Sequence, residues 1–193
     1  MKFTSLKDVI RNELPRKSGI YIFRLNDGID FLGFENNNNN RILYVGRAKN
    51  DKHNIFVRFG RHVEISPLSP TSSSGSTLRR SIGAIFKDRW NLKASPRLDK
   101  EGNPNHYSNY NFINNKKYTK ENLITNWMKN NLQYKYICSE DSEIKELEQI
   151  KKLKPTLNNH SCNDLQKKLF GTCKVSKKMS LRGLCRQEAL ALD

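Results

Sequence analysis

The sequence predicts an α+β fold, a small three-stranded antiparallel sheet flanked by helices. Three observations carry this expectation. Two runs rich in β-branched and aromatic residues, Ser18–Leu25 and Arg41–Gly46, lie close together in the chain. A third run, Leu132–Cys138, alternates apolar and polar positions. The segments between and after them repeat their apolar residues at helical spacing. Strands and helices in this order make one layered unit.

The elements follow in chain order. Residues 1–17 are polar with scattered apolar positions and read as a leader with a short helix. After the first strand, Asn26-Asp27-Gly28 signals a turn. The run Asn36–Asn40 then reads as an enlarged connection without chemistry. Arg41–Gly46 returns as the antiparallel partner of a hairpin. A helix is expected over about 54–63, with Ile55, Phe56, Phe59 and Val63 as its apolar stripe. Arg58 and His62 stand four apart beside that stripe, with Arg61 nearby. A Pro/Ser loop over 64–76 leads to Ser76 or Thr77, either of which can cap a helix over 78–90. Its stripe is Leu78, Ile82, Ile85 and Phe86, and its other face carries Arg79, Arg80 and Lys87. Residues 93–118 are polar and irregular, and Thr119 can cap a helix over 120–131. After the third strand, Ser139 or Asp141 opens a helix to about Leu153, which Pro155 stops. The tail from residue 159 is basic, with a weak helical pattern from 180 onward.

Charge narrows the partner. The 193 residues include 35 Lys+Arg and 19 Asp+Glu, a net charge of +16. That length suits one domain with an appendage. Such an excess repels itself unless a polyanion neutralises it, which points to nucleic acid and away from a neutral small-molecule site. A hydrophobic content of 36% supports one modest core. No run of about 18 apolar residues is present, so no membrane span is expected. The opening residues, Met1–Ile10, lack an apolar signal core, and a cytoplasmic location is expected. Cys138, Cys162, Cys173 and Cys185 all lie in the last third without a C-x-x-C pair, a pattern of a reducing compartment. A metal cluster of His160, Cys162, Cys173 and Cys185 would need spacings longer than those of a paired-ligand knuckle.

One carboxylate is conspicuous. On the helix after the third strand, Leu147, Ile150 and Leu153 define an apolar side, with Ile144 at its edge. At 100° per residue, Glu146 falls between the directions of Ile150 and Leu153, while Glu148 points nearly opposite. A carboxylate there is costly unless paired or bound to a cation. Glu143 also leans inward and is its rival.

Gly19-Ile20-Tyr21, followed by Tyr44-Val45-Gly46, resembles the two-part signature of the GIY-YIG nuclease family, with Val in place of Ile in the second part. In that family the next helix carries an Arg with a His four residues on, matched by Arg58 and His62. A later helix carries a metal-binding Glu ahead of a K-P-x-L-N segment, matched by Glu146 and Lys154–Asn158. The resemblance covers 18–63 and 132–158, and 78–86 is similar to a segment of some bacterial members. It implies a leader over 1–17, a nuclease domain over 18–158 with a helical insertion at about 91–131, and a basic C-terminal extension over 159–193.

The resemblance also implies a chemistry: metal-dependent endonucleolytic hydrolysis of phosphodiester bonds in duplex DNA. Glu146 would hold Mg²⁺, for which Mn²⁺ can substitute, since Mg²⁺ binds through few carboxylates and keeps its waters. Arg58 would clamp two phosphate oxygens with its planar fork. Tyr21 would be the general base, Tyr44 would share that task or orient the water, and His62 would hold Tyr21 or relay its proton. Asn158 would support the site by hydrogen bonding. A phenol ordinarily ionises near 10, so Tyr21 needs cations to act at neutral pH. Arg47, Arg61, Arg79, Arg80 and Lys87 are the expected DNA contacts. Arg47 replaces the small or polar residue common after that glycine. The family includes restriction, repair, recombination and mobile-element enzymes. A catalytically silent nucleic-acid-binding protein on the same fold is the alternative reading. A basic protein that binds acidic protein is a third.

Overall fold

The computed structural model describes residues 2–9, 13–29, 31, 41–63, 76–96, 101, 110–114, 122–158 and 181–191. The strands are β1 (Thr4–Ser5), β2 (Gly19–Leu25), β3 (Ile42–Ala48), β4 (Leu92–Pro96), β5 (Tyr110–Asn114) and β6 (Leu132–Cys138). The helices are α1 (Ile55–Gly60), α2 (Thr77–Phe86), α3 (Asn122–Asn131), α4 (Ser142–Leu153) and α5 (Leu181–Leu190). The architecture is α+β, as expected, with an antiparallel main sheet in the order β1-β6-β2-β3.

β2 is a central strand covered on both faces, which explains its nearly continuous apolar run. Tyr21 and Phe23 face a core with Phe59 of α1, Leu78 and Ile82 of α2, and Ile124 and Met128 of α3. Ile20 and Ile22 face the other layer with Ile42, Val45 and Ile150 of α4, and Leu153 packs at its margin. Tyr21 pairs with Gly46 of β3 on one side and with Tyr136 of β6 on the other. The β2–β3 register slips between Phe23 and Arg24.

Helix ends are fixed by local bonds. The Asn54 side chain accepts from Val57 N at 2.9 Å and caps α1. Ser76 Oγ accepts from Arg79 N at 3.1 Å and caps α2. α4 ends at Lys154, whose φ of 44° is left-handed, and Pro155 follows.

Four expectations are corrected. The leader holds β1 and a 3-10 turn, Leu6–Asp8, instead of a helix, because Thr4 and Ser5 pair with the free edge of β6. The main sheet therefore has four strands. The insertion is not purely helical: β4 and β5 form a two-stranded sheet within a stretch that reads as irregular. The Phe112 ring of β5 packs against Gly83 of α2, where any Cβ would collide with it. On α4, Ile144 and Leu147 are exposed, at 61% and 44%, so the inward face runs along Ser142, Ile150 and Leu153.

In the tail, α5 packs against β4 and α2, with Cys185 and Ala189 buried. The asparagine run, residues 64–75 of the loop, Thr119, His160, Cys162 and Cys173 lie outside the described residues. No described helix is long and apolar enough to cross a membrane.

Candidate active site

The site starts from a close approach between two strands. The Tyr21 ring lies over Gly46, its pairing partner, and a Cβ at Gly46 would stand 2.5 Å from the phenol oxygen. Only glycine leaves room for this ring. Tyr21 is fully buried, with Phe23, Tyr44, Phe59 and His62 around it. Its hydroxyl is 2.8 Å from His62 Nε2, and the Arg58 guanidinium is near enough to favour its ionised form. His62 Nδ1 is 2.6 Å from Ser76 Oγ, the cap of α2.

Electrostatics set the state of the pair. Burial pushes the Tyr21 phenol well above its ordinary value of 10.0, and Tyr44 adds to this while Arg58 opposes it. Burial, helped by Arg58, Arg79 and Arg61, holds His62 well below 6.5. A protonated phenol therefore faces a neutral imidazole at neutral pH.

A cleft of about 420 Å³ is lined by Arg47, Lys49, His53, Arg58, Arg61 and Glu146. Buried Nε of Arg58 has no hydrogen-bond partner among the described residues. Burial and then the nearby Arg58 charge draw Arg61 below its ordinary value. Arg61 Nη2 lies 3.4 Å from His53 Nδ1. Crowded cations with an unmet donor suit an anion with several oxygens, as phosphate has.

Glu146, on α4, forms the acidic wall of the cleft. Arg47 spans two carboxylates, with Nη1 2.6 Å from Glu143 and Nε 3.4 Å from Glu146. Among the described residues no group of three or more His, Cys, Asp or Glu side chains is arranged to hold a metal ion. A single half-buried carboxylate on an open cleft fits an ion that keeps most of its waters, as Mg²⁺ does, and does not fit a caged ion.

Asn158 stands behind β3. Its side chain accepts from Val45 N at 2.8 Å and donates to Val45 O at 2.7 Å. Thr156 N and Leu157 N donate to Ile42 O and Leu43 O. The segment after α4 thus covers the edge of β3 and fixes the strand between Tyr44 and Gly46.

The expected DNA contacts separate into two groups. Arg47 and Arg61 line the cleft. Arg79 does not serve as a surface contact: it is 0% exposed, and its Nη1 donates to His62 O at 2.8 Å and to Thr125 Oγ1 at 3.0 Å. It is a buried brace because α3 and the His62 backbone cover that side of α2. Arg80 is half-buried, with Nη2 3.4 Å from Thr77 Oγ1, and Lys87 pairs with Glu188 of α5 at 3.1 Å. Sequence reasoning missed Lys49 and His53. Their closeness to Arg47 was the available signal, since both lie on the turn between β3 and α1.

Fold and site together define a catalytic domain of nuclease type. Residues 19–179 match the family model of the GIY-YIG catalytic domain, and the chain belongs to that family. The family acts on nucleic acid, and its nucleases generally use divalent metals. No curated protein and no solved structure matches the chain.

Proposed function

We propose that the protein is a divalent-metal-dependent endonuclease that hydrolyses phosphodiester bonds in duplex DNA. The observation that carries this reading is the buried Tyr21–His62 hydrogen bond, whose phenol feels the charges of Arg58 and Glu146, two residues that line a cleft with Arg61. A protein selected only to bind the backbone needs the cations but not that buried pair.

The scissile phosphate enters the cleft, and Arg58 takes its oxygens through the Nε donor and the fork beside it. Arg61 and Lys49 hold neighbouring backbone charge. Tyr21 removes a proton from the attacking water while its own proton passes to His62 Nε2, 2.8 Å away. The phenol therefore never persists as a buried phenolate, which its raised pKa would oppose. The water oxygen bonds to phosphorus, the P–O3′ bond breaks, and the leaving oxygen takes up a proton from solvent. His62 then returns its proton to Tyr21 as the phenol gives up the water-derived one to solvent, which restores the resting pair. Glu146 would hold Mg²⁺ or Mn²⁺, and the bound ion supplies charge stabilisation at the phosphate. Tyr44, whose ring centroid is 6.4 Å from that of Tyr21, would orient the water, and Asn158, bonded to Val45, would keep β3 in register.

Incubation with supercoiled plasmid tests this directly. Nicked or linear product is expected with Mg²⁺ and none with excess chelator. Failure to cut duplex DNA in either Mg²⁺ or Mn²⁺ contradicts the reading.

A further inference from the structure

We propose that Ser76 is a positioning residue of the reaction, holding His62 in the Nδ1–H tautomer so that Nε2 faces the Tyr21 hydroxyl as an acceptor. The inference rests on the nuclease reading of the site. Three groups stand in line: Tyr21 Oη, His62 and Ser76 Oγ, joined by contacts of 2.8 and 2.6 Å. All three residues are at most 1% exposed.

The donor inventory gives the line a direction. The Tyr21 hydroxyl has His62 Nε2 as its partner at 2.8 Å, and the Arg58 guanidinium, which can only donate, draws on the phenol oxygen as an acceptor. The phenol proton is then available to His62 Nε2. A neutral imidazole that accepts at Nε2 carries its hydrogen on Nδ1. That hydrogen points at Ser76 Oγ, which already accepts the Arg79 amide at 3.1 Å. One hydroxyl oxygen thus caps α2 and receives the far side of the imidazole. The ring's own backbone is held as well, since Arg79 Nη1 donates to His62 O.

Helix capping alone does not account for the second contact. Glycine caps helices nearly as well as serine, so Ser76→Gly removes the imidazole partner and largely spares α2. Threonine keeps the hydroxyl.

The test reads the tautomer first. In ¹⁵N-histidine-labelled protein without metal or DNA, two-bond ¹H–¹⁵N correlation spectra should show His62 protonated on Nδ1. A wild-type His62 protonated on Nε2 overturns the proposal, whether or not the protein cuts DNA. In Ser76→Gly the Nδ1–H form should lose its dominance. Its kcat should fall by at least about tenfold with KM nearly unchanged, and Ser76→Thr should recover most of the rate. A folded Ser76→Gly protein that keeps both the tautomer and the wild-type kcat also overturns it. Should Ser76→Gly fail to fold, the wild-type spectrum still decides. An Nδ1–H spectrum in a protein that cuts nothing would leave this line of contacts standing and remove the nuclease reading.

Discussion

Arg47 holds Glu143 and Glu146 with one guanidinium, at 2.6 Å and 3.4 Å. The carboxylate proposed to hold a divalent ion thus already shares a cation with Glu143, from a side chain of β3. Arg47 also lines the cleft in which a phosphate would sit. On the proposed reading its charge would compete with the ion and attract nucleic acid.

Arg47→Gln should separate these effects. Removing the competing cation should tighten Mn²⁺ binding about two- to fivefold, the scale of a partly exposed ion pair. DNA affinity should fall at the same time. Calorimetry or Mn²⁺ paramagnetic resonance on the free protein reads the first effect, and salt-dependent DNA titration reads the second. Unchanged Mn²⁺ affinity contradicts a competing role for Arg47.

Arg79 should behave as a core residue. Arg79→Met keeps much of the volume but leaves His62 O and Thr125 Oγ1 without their donor. A loss of about 2–3 kcal/mol is expected from the urea midpoint. The salt slope of DNA binding should stay as it was, whereas Lys49→Ala should lower it by about one. A reduced slope in a stable Arg79→Met protein would return Arg79 to the DNA-contact surface.

How much of this was legible in the sequence differs by element. The doubly buried β2 showed itself as an unbroken apolar run, and β6 spans the same Leu132–Cys138 segment that the alternation marks. β4 and β5 did not show, because five-residue strands rich in Lys, Ser and Asn resemble loops until a partner covers one face. Arg79 looked exposed because a helical wheel knows only one apolar stripe, while α2 is covered on a second side by α3 and the turn after α1. Ser76 was legible as a cap. Its contact with His62 joins residues fourteen apart across an irregular segment, which no local pattern encodes. The face of α4 was half legible: the wheel put Glu146 on the inward side with Ile150 and Leu153, where it lines the cleft, but Ile144 and Leu147 do not share in the packing.

The buried imidazole makes a pH prediction. Unfolded histidine titrates near 6.5, and His62 in the folded chain lies well below that value. Between the two values the unfolded state binds more protons, so stability rises with pH across that window and is complete above about 6.5. Cleavage should also fade as pH drops through the lowered value, where Nε2 gains a proton and can no longer accept one. Urea unfolding of the wild type and of His62→Asn at several pH values checks this. Identical slopes below pH 6.5 in the two proteins would remove His62 from the account.

The central claim is that the Tyr21 hydroxyl takes part in the chemistry and does more than fill the core. Tyr21→Phe keeps the ring over Gly46 and removes only the oxygen that meets His62 and Arg58. Single-turnover cleavage of a duplex substrate in Mg²⁺, measured beside DNA affinity, tests that claim most directly. The account expects the cleavage rate to fall by about 100-fold or more while affinity changes less than about twofold. A Tyr21→Phe protein that cuts at close to the wild-type rate would contradict it.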